Sequence, residues 1–328
     1  MSKQGSKKEA IFTLYQKKYP KCLEDIIGFP IEGIKTEVDK GSKKIDLYGF
    51  NKKKKLELYV ENQLKPSDIK DHIEQKIKPL INGISEGYVI WTATKFRAEH
   101  IEEVKLLLKS HPQKYINFYA VEIHPEVLNC INYLNNLYEL DVWDKLNILN
   151  EIDSKLKTVD KYEQMPPNHI GKAFIGEYLY DFTREDDVKE YMIEQLRERI
   201  PYFLNFHGGK KHSQYDRILK IGGGLSDITY LCSAFDFRYR AFTEIRFGLS
   251  KASWYYAFKI HEYNLKREID RNISFNDTNR TIGVYIKSNG NDIPKVTDGL
   301  VDIFERFILY FSPYTYGKNK LQSNALTV

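Results

Sequence analysis

Cysteine is scarce in this chain of 328 residues. Cys22, Cys130 and Cys232 are odd in number and far apart, with no pair at zinc-ligand spacing, which excludes a disulfide framework. Long apolar runs are also missing. No window approaches the roughly 20 apolar residues of a membrane span. The lysine-bearing N-terminus leads into IFTLYQKKYP, which breaks up before it is long enough for a signal-peptide core. These absences imply a reducing cytoplasm and no membrane partner. IGGGLS (221–226) lacks the spacing of a phosphate-binding P-loop and reads as a turn between strands. There is no repeat at solenoid periods. The net charge is only +5, compatible with nucleic acid but common in lysine-rich proteins.

What the chain has is surface to bury. Apolar residues make up 42% and aromatics 14%, with 24 tyrosines, which rules out a solvated tail. The length allows two domains, each with its own core. The loop KYEQMPPNHIGK places a boundary near 160–175, giving a first domain of 1–165 and a second of 166–328.

Along the first domain the patterns predict one or two short helices before Gly28 and a strand carrying Glu37. A Gly-Ser turn follows at Gly41 and Ser42, and then a hairpin. A helix beyond Gln63 carries Ile69, Ile73, Ile77, Leu80 and Ile81 on one stripe, with Ser67 as its cap and Asp68, His72 and Gln75 on the polar face. Pro79 kinks or shortens it. GYVIWTAT (87–94) reads as a strand covered on both faces, 97–110 as a helix and 115–124 as a strand. Another helical stretch lies around 126–138. The fold class is therefore α/β, a mixed sheet flanked by helices. In the second domain, helices are expected at 184–199, near 261–270 and at 296–311. Strands are expected at 227–232, 235–247, 254–260 and TIGVYIKS, making a second α/β or α+β unit.

The hairpin KIDLYGFNKKKKLELYVENQ (44–63) carries acids. Leu56, Leu58 and Val60 alternate with Glu57, Tyr59, Glu61 and Gln63, so Glu61 and Gln63 emerge on one face. With the matching register Asp46 joins them. Strands lie about 4.8 Å apart, so two carboxylates and an amide oxygen can converge on one divalent cation.

At IDLYGF, VENQL and DHIEQ the chain resembles the PD-(D/E)XK nuclease superfamily, and more narrowly bacterial proteins that join such a domain to a C-terminal domain of unknown function. Glu37, Asp46, Glu61, Gln63 and Gln75 match its order of acids and amides, and IWTATKFRAEHIEEVKLLL is similar to the strand and helix that come next in it. The resemblance covers roughly residues 30–125. It implies a restriction-endonuclease-like core. Gln63 stands where most of the superfamily has lysine, and PSDIKDHIEQ is about one residue longer than in the relatives.

The resemblance implies a metal-dependent nuclease, with an endonuclease favoured over an exonuclease. Phosphodiester hydrolysis needs a nucleophilic water and stabilised phosphoryl charge, and Mg²⁺ or Mn²⁺ supplies both. Asp46, Glu61 and the backbone carbonyl of Asn62 make an oxygen shell that suits Mg²⁺. Gln63 would place the attacking water, and Glu37 would bind a second ion or orient a water. Gln75 and His72 would contact phosphate or water; solvation is the competing reading. Lys52 and Lys53, in the turn of four lysines, would steer phosphate or simply keep the hairpin tip from pairing elsewhere. DNA is the expected partner, with RNA left open. The second domain would recognise nucleic acid, bind a partner or form a homodimer. Restriction or defence against foreign DNA is what the resemblance suggests. The alternative is a nuclease-like fold kept as a non-catalytic DNA-binding or protein-interaction module.

Overall fold

A computed structural model of the chain describes residues 7–40, 43–52, 56–164, 180–207, 218–234, 240–288 and 292–316, with the backbone alone at 39, 40 and 43. The Gly-Ser turn, Lys53 and the expected boundary at 165/166 lie outside these residues. The described chain forms two compact units, one holding residues up to 164 together with His207, and one holding the other described residues from Tyr180 onward.

The first unit opens with α1 (Lys7–Lys18) and α2 (Lys21–Ile27). Gly28 ends α2 at φ 78°, in the left-handed region that costs glycine least. Strands β1 (Glu32–Lys40), β2 (Lys43–Asn51) and β3 (Leu56–Asn62) come next as an antiparallel meander. A π-helix (Ile69–Ile77) runs directly into α3 (Lys78–Gly83), with Pro79 in the first turn of α3, where a missing N–H is tolerated. Then come β4 (Glu86–Ala93), α4 (Ala98–Lys109), β5 (Tyr115–Ile123), α5 (Pro125–Asn135), α6 (Glu139–Lys145) and β6 (Leu156–Tyr162). The sheet runs β1-β2-β3-β4-β5-β6, with β3, β4 and β5 parallel to one another and the other pairs antiparallel.

The two-sided burial of β4 arises from its sequence. Val89 and Trp91 join a core with Ile73, Ile77, Ile81, Val104 and Phe118, under the π-helix, α3 and α4. Ile90 faces the other way, into a core with Leu23, Ile27, Leu47, Leu58, Val60 and Val121. Such a strand needs an unbroken apolar run. At its start Gly87 has φ 134°, and a Cβ there would meet the Glu57 carbonyl oxygen at 2.8 Å, so only glycine lets β4 close on β3. β6 is not among the expected strands. LKTVDKY is polar and largely exposed, and it pairs at a sheet edge, where one face needs no apolar alternation.

The second unit contains, in order, α7 (Glu185–Arg199), β7 (Leu219–Gly222), β8 (Ile228–Ser233), β9 (Arg240–Phe247), α8 (Ala252–Ile260), α9 (Glu262–Glu268), β10 (Ser274–Asn276), β11 (Thr281–Lys287) and α10 (Ile293–Thr315). Their sheet, β10-β11-β9-β8-β7, is antiparallel throughout, and Gly223–Ser226 lie in the connection from β7 to β8, as expected of IGGGLS. The expected strand at 254–260 is instead α8. Its aromatics favour strands locally, but Tyr255 and Phe258 are buried at helical spacing, and packing overrides propensity. α10 buries Phe304, Phe307 and Phe311 on one stripe. The chain is thus α/β, with a mixed six-stranded sheet and an antiparallel five-stranded one. Among the described residues no helix is long and apolar enough to cross a membrane.

Candidate functional site

The site begins with a register. Leu47 pairs with Val60, so the next rung brings Asp46 level with Glu61, and Glu61 itself pairs with Trp91 on β4. Thr36 pairs with Leu47 and Val38 with Ile45, which puts Glu37 on that same row at the far side of Asp46. Three acids and a tryptophan therefore stand in line across β1 to β4. Side chains level on neighbouring strands share a face. Glu37 has φ 56°, an uncommon conformation for a residue with a Cβ in mid-strand.

Each acid is held differently. The backbone N–H of Asn62 donates to Asp46 Oδ2 at 2.7 Å and fixes that carboxylate. The Glu61 side chain is only 2% exposed, and Lys76 Nζ donates to its Oε2 at 2.8 Å. The same ammonium lies 3.9 Å from Asp46 Oδ1. Burial and then Asp46 push the Glu61 carboxyl well above its ordinary value, Lys76 pulls it back, and Glu37 adds a small further rise. Burial alone would lower Lys76, but attraction to Glu61 and Asp46 outweighs it and holds the ammonium protonated. The Lys76 ammonium thus lies within 4 Å of two carboxylates of the row, Glu61 and Asp46.

Lys76 reaches Glu61 because the helix beneath it is widened. The backbone N–H of Ile73 donates to the Asp68 carbonyl at 3.4 Å, and that of Lys78 to the Ile73 carbonyl, both five residues back rather than four. A π-turn takes up an extra residue and rotates the side chains beyond it about the helix axis. Ile73 and Ile77 stay buried while Ile69 is exposed, so the stripe expected from Ile69 onward begins only at Ile73. The cap is Asp68 rather than Ser67. Asp68 accepts from the backbone N–H groups of Asp71 and His72, whereas the Ser67 hydroxyl contacts His100 Nδ1 at 2.9 Å and accepts from the Arg97 N–H at 3.1 Å.

The other expected site residues have different surroundings. Gln63 is buried, and its amide is fully used: Nε2 donates to the Pro66 carbonyl and to Asp68 Oδ2, each at 2.6 Å, and Oε1 accepts from Trp91 Nε1 at 3.2 Å. All three of these partners are protein groups. The Asn62 side chain is likewise engaged, with Gln16 and Thr13 of α1 and with Thr92. His72 Nδ1 lies 2.8 Å from Asp68 Oδ2, and its ring stacks on Trp91 at 6.4 Å and 11°. Gln75 is exposed. Lys52 is exposed too, 3.8 Å from Glu32 and over the Phe50 ring. Lys53 is outside the described residues.

Sequence reasoning missed Lys76. The π-turn takes up an extra residue between Asp68 and Lys78, which plain helical periodicity does not register. Asp46 and Glu61 suit a hard divalent cation, which prefers carboxylate oxygens and retained waters. Among the described residues no group of three or more His, Cys, Asp or Glu is gathered closely enough to hold a metal by itself. Asp46 and Glu61 would hold one as a pair, with water completing the shell. In comparisons with known proteins, no family profile and no curated protein matches this chain.

Proposed function

We propose that the first unit is a restriction-endonuclease-like, metal-dependent nuclease that hydrolyses phosphodiester bonds, with DNA as its substrate. The observation that carries this reading is the Lys76 ammonium seated 2.8 Å from Glu61 and 3.9 Å from Asp46 on a row of acids. The resemblance of IDLYGF, VENQL and DHIEQ to PD-(D/E)XK nucleases supports it. Those enzymes mostly carry a lysine where this chain has Gln63, and here the ammonium comes from the helix.

Asp46 and Glu61 would hold Mg²⁺ or Mn²⁺, with the Asn62 carbonyl as a third oxygen. Such an ion activates water and polarises the phosphoryl group. Lys76, held protonated, offers charge to a phosphoryl oxygen, where an ordered cation in a half-buried site acts more strongly than in water. The Asn62 N–H keeps Asp46 from turning away. Glu37 brings a further negative charge to the row.

The test is incubation of purified protein with plasmid, linear and single-stranded DNA and with RNA, in Mg²⁺, Mn²⁺ or EDTA, beside Glu61→Ala and Lys76→Met. Metal-dependent cutting that both substitutions abolish is the expected result. Cutting that survives Glu61→Ala would remove the site. A second reading, a nuclease-like fold that binds nucleic acid without cutting, is favoured by the near-complete burial of Glu61 behind Lys76. On that reading both variants keep full DNA affinity and wild type cuts nothing.

A further inference from the structure

We propose that His72 is the proton acceptor of this site, a catalytic residue toward the water that attacks phosphorus. The inference rests on the nuclease reading above and adds to it a residue that neither the acids nor Lys76 can replace. Hydrolysis needs a group that takes a proton near neutral pH. Asp46 and Glu61 are tied to Lys76 and to the proposed ion, and Lys76 already carries its proton. Imidazole, with an ordinary pKa of about 6.5, suits the task, and the ring is bound neither to Lys76 nor to the proposed ion.

The ring is set up for this by two contacts, with Gln63 behind both. Asp68 Oδ2, a carboxylate oxygen, lies 2.8 Å from Nδ1 and therefore draws the proton of the neutral imidazole to Nδ1. Nε2 is left with its lone pair, and among the described residues nothing hydrogen-bonds it. Trp91 fixes the plane of the ring by stacking. Gln63 acts one step back as a positioning residue, since its Nε2 holds the same Asp68 oxygen at 2.6 Å while its Oε1 is anchored on Trp91 Nε1. The amide that stands in place of a lysine thus serves the histidine.

The fold accounts for this placement. Trp91 is the rung partner of Glu61, and His72 lies over Trp91. Lys76, four residues on in the same π-helix, touches Glu61. His72 is therefore beside the acid row on the same face, and at 19% exposure its side chain is neither sealed nor free. The charged and titratable groups of the surrounding elements are Asp68 at the cap, Lys70, Asp71, Glu74 and Lys76 on the π-helix, Glu37, Asp46 and Glu61 on the sheet, and Arg97, Glu99 and His100 at the start of α4.

In the step, the water oxygen bonds to phosphorus while one of its protons passes to His72 Nε2. The bond from phosphorus to the leaving sugar oxygen breaks, its electron pair stays on that oxygen, and that oxygen takes a proton from solvent water. The imidazolium returns its proton to solvent.

The experiment measures plasmid cleavage by the full chain in Mg²⁺ across a pH range spanning the imidazole range, for wild type, His72→Gln, Asp68→Asn and Glu61→Gln, with thermal melting to confirm that each is folded. His72→Gln is expected to lower kcat about 100-fold, leave KM for DNA unchanged and flatten the rise of rate with pH. Asp68→Asn should give a smaller loss with a displaced pH profile, and it carries the test if His72→Gln does not fold. If Glu61→Gln abolishes cutting while His72→Gln and Asp68→Asn keep the wild-type rate and profile, His72 is not the acceptor and the nuclease reading stands. If wild type never cuts, or Glu61→Gln still does, both fall together.

Discussion

Lys76 Nζ sits 2.8 Å from Glu61 Oε2, where a two-residue alternation on the hairpin would have looked for Gln63. The contact joins a strand to a π-helix fifteen residues later. Removing it by Lys76→Met leaves a buried carboxylate without its donor, at a cost of about 1–3 kcal/mol. The sign with pH is fixed by the raised Glu61 carboxyl: the folded state holds that proton more tightly than the unfolded chain, so its contribution is present at low pH and lost as pH rises. Urea unfolding should therefore show a larger deficit for Lys76→Met at pH above neutral than in mild acid. An equal deficit at both would mean that Glu61 does not feel Lys76.

Asp68 is predicted to stabilise the fold through its cap. Burial raises its carboxyl, but the N–H groups of Asp71 and His72 and the His72 ring bring it below the ordinary value. A depressed carboxyl contributes stability above its unfolded pKa of about 3.9, and that contribution fades as pH falls. Asp68→Ala should cost about 1–2 kcal/mol at neutral pH and progressively less in acid. A loss independent of pH would point to packing alone.

Gln63 separates a chemical from a structural role. Gln63→Leu leaves the Trp91 indole N–H without its partner and takes from Asp68 Oδ2 one of its two donors, for about 1–3 kcal/mol. Metal affinity, read by titration calorimetry with Ca²⁺, should not change. A Gln63→Leu protein of wild-type stability that no longer binds the ion would place the amide in the metal shell instead.

Metal should stabilise the first unit only through its acids. At a hundredfold excess over Kd, a ligand specific to the folded state adds about 2.7 kcal/mol. That is a rise of roughly 5–10 °C in Tm for a unit of this size. Scanning calorimetry with Mg²⁺ should show the shift in wild type and none in Asp46→Asn or Glu61→Gln. The same shift in all three would move the ion elsewhere.

The positions legible in the sequence are those whose reason is local. Period-two alternation from Leu56 to Gln63 marked the strand that bears Glu61, and the unbroken apolar run at 87–94 marked a strand covered on both faces, because burial writes itself directly into side-chain type. Where the reason lay in another element, the sequence misled. Trp254 to Ile260 are strand-like by residue type, yet Tyr255 and Phe258 pack as a helix because the core beside them has that shape. The polar edge strand β6 carries no pattern, since its partner β5 supplies the hydrogen bonds.

By itself the sequence determined which acids could stand in line, because strand periodicity fixes faces before any contact is made. Whether they met, and which groups met them, was decided by tertiary structure. The rung that levels Glu37, Asp46, Glu61 and Trp91 depends on three strand registers, and the ammonium that faces them depends on a helix turn widened by one residue. No local rule places a side chain across that distance: a lysine beside an isoleucine stripe reads as solvated until packing of Ile73 and Ile77 against the sheet turns it toward Glu61.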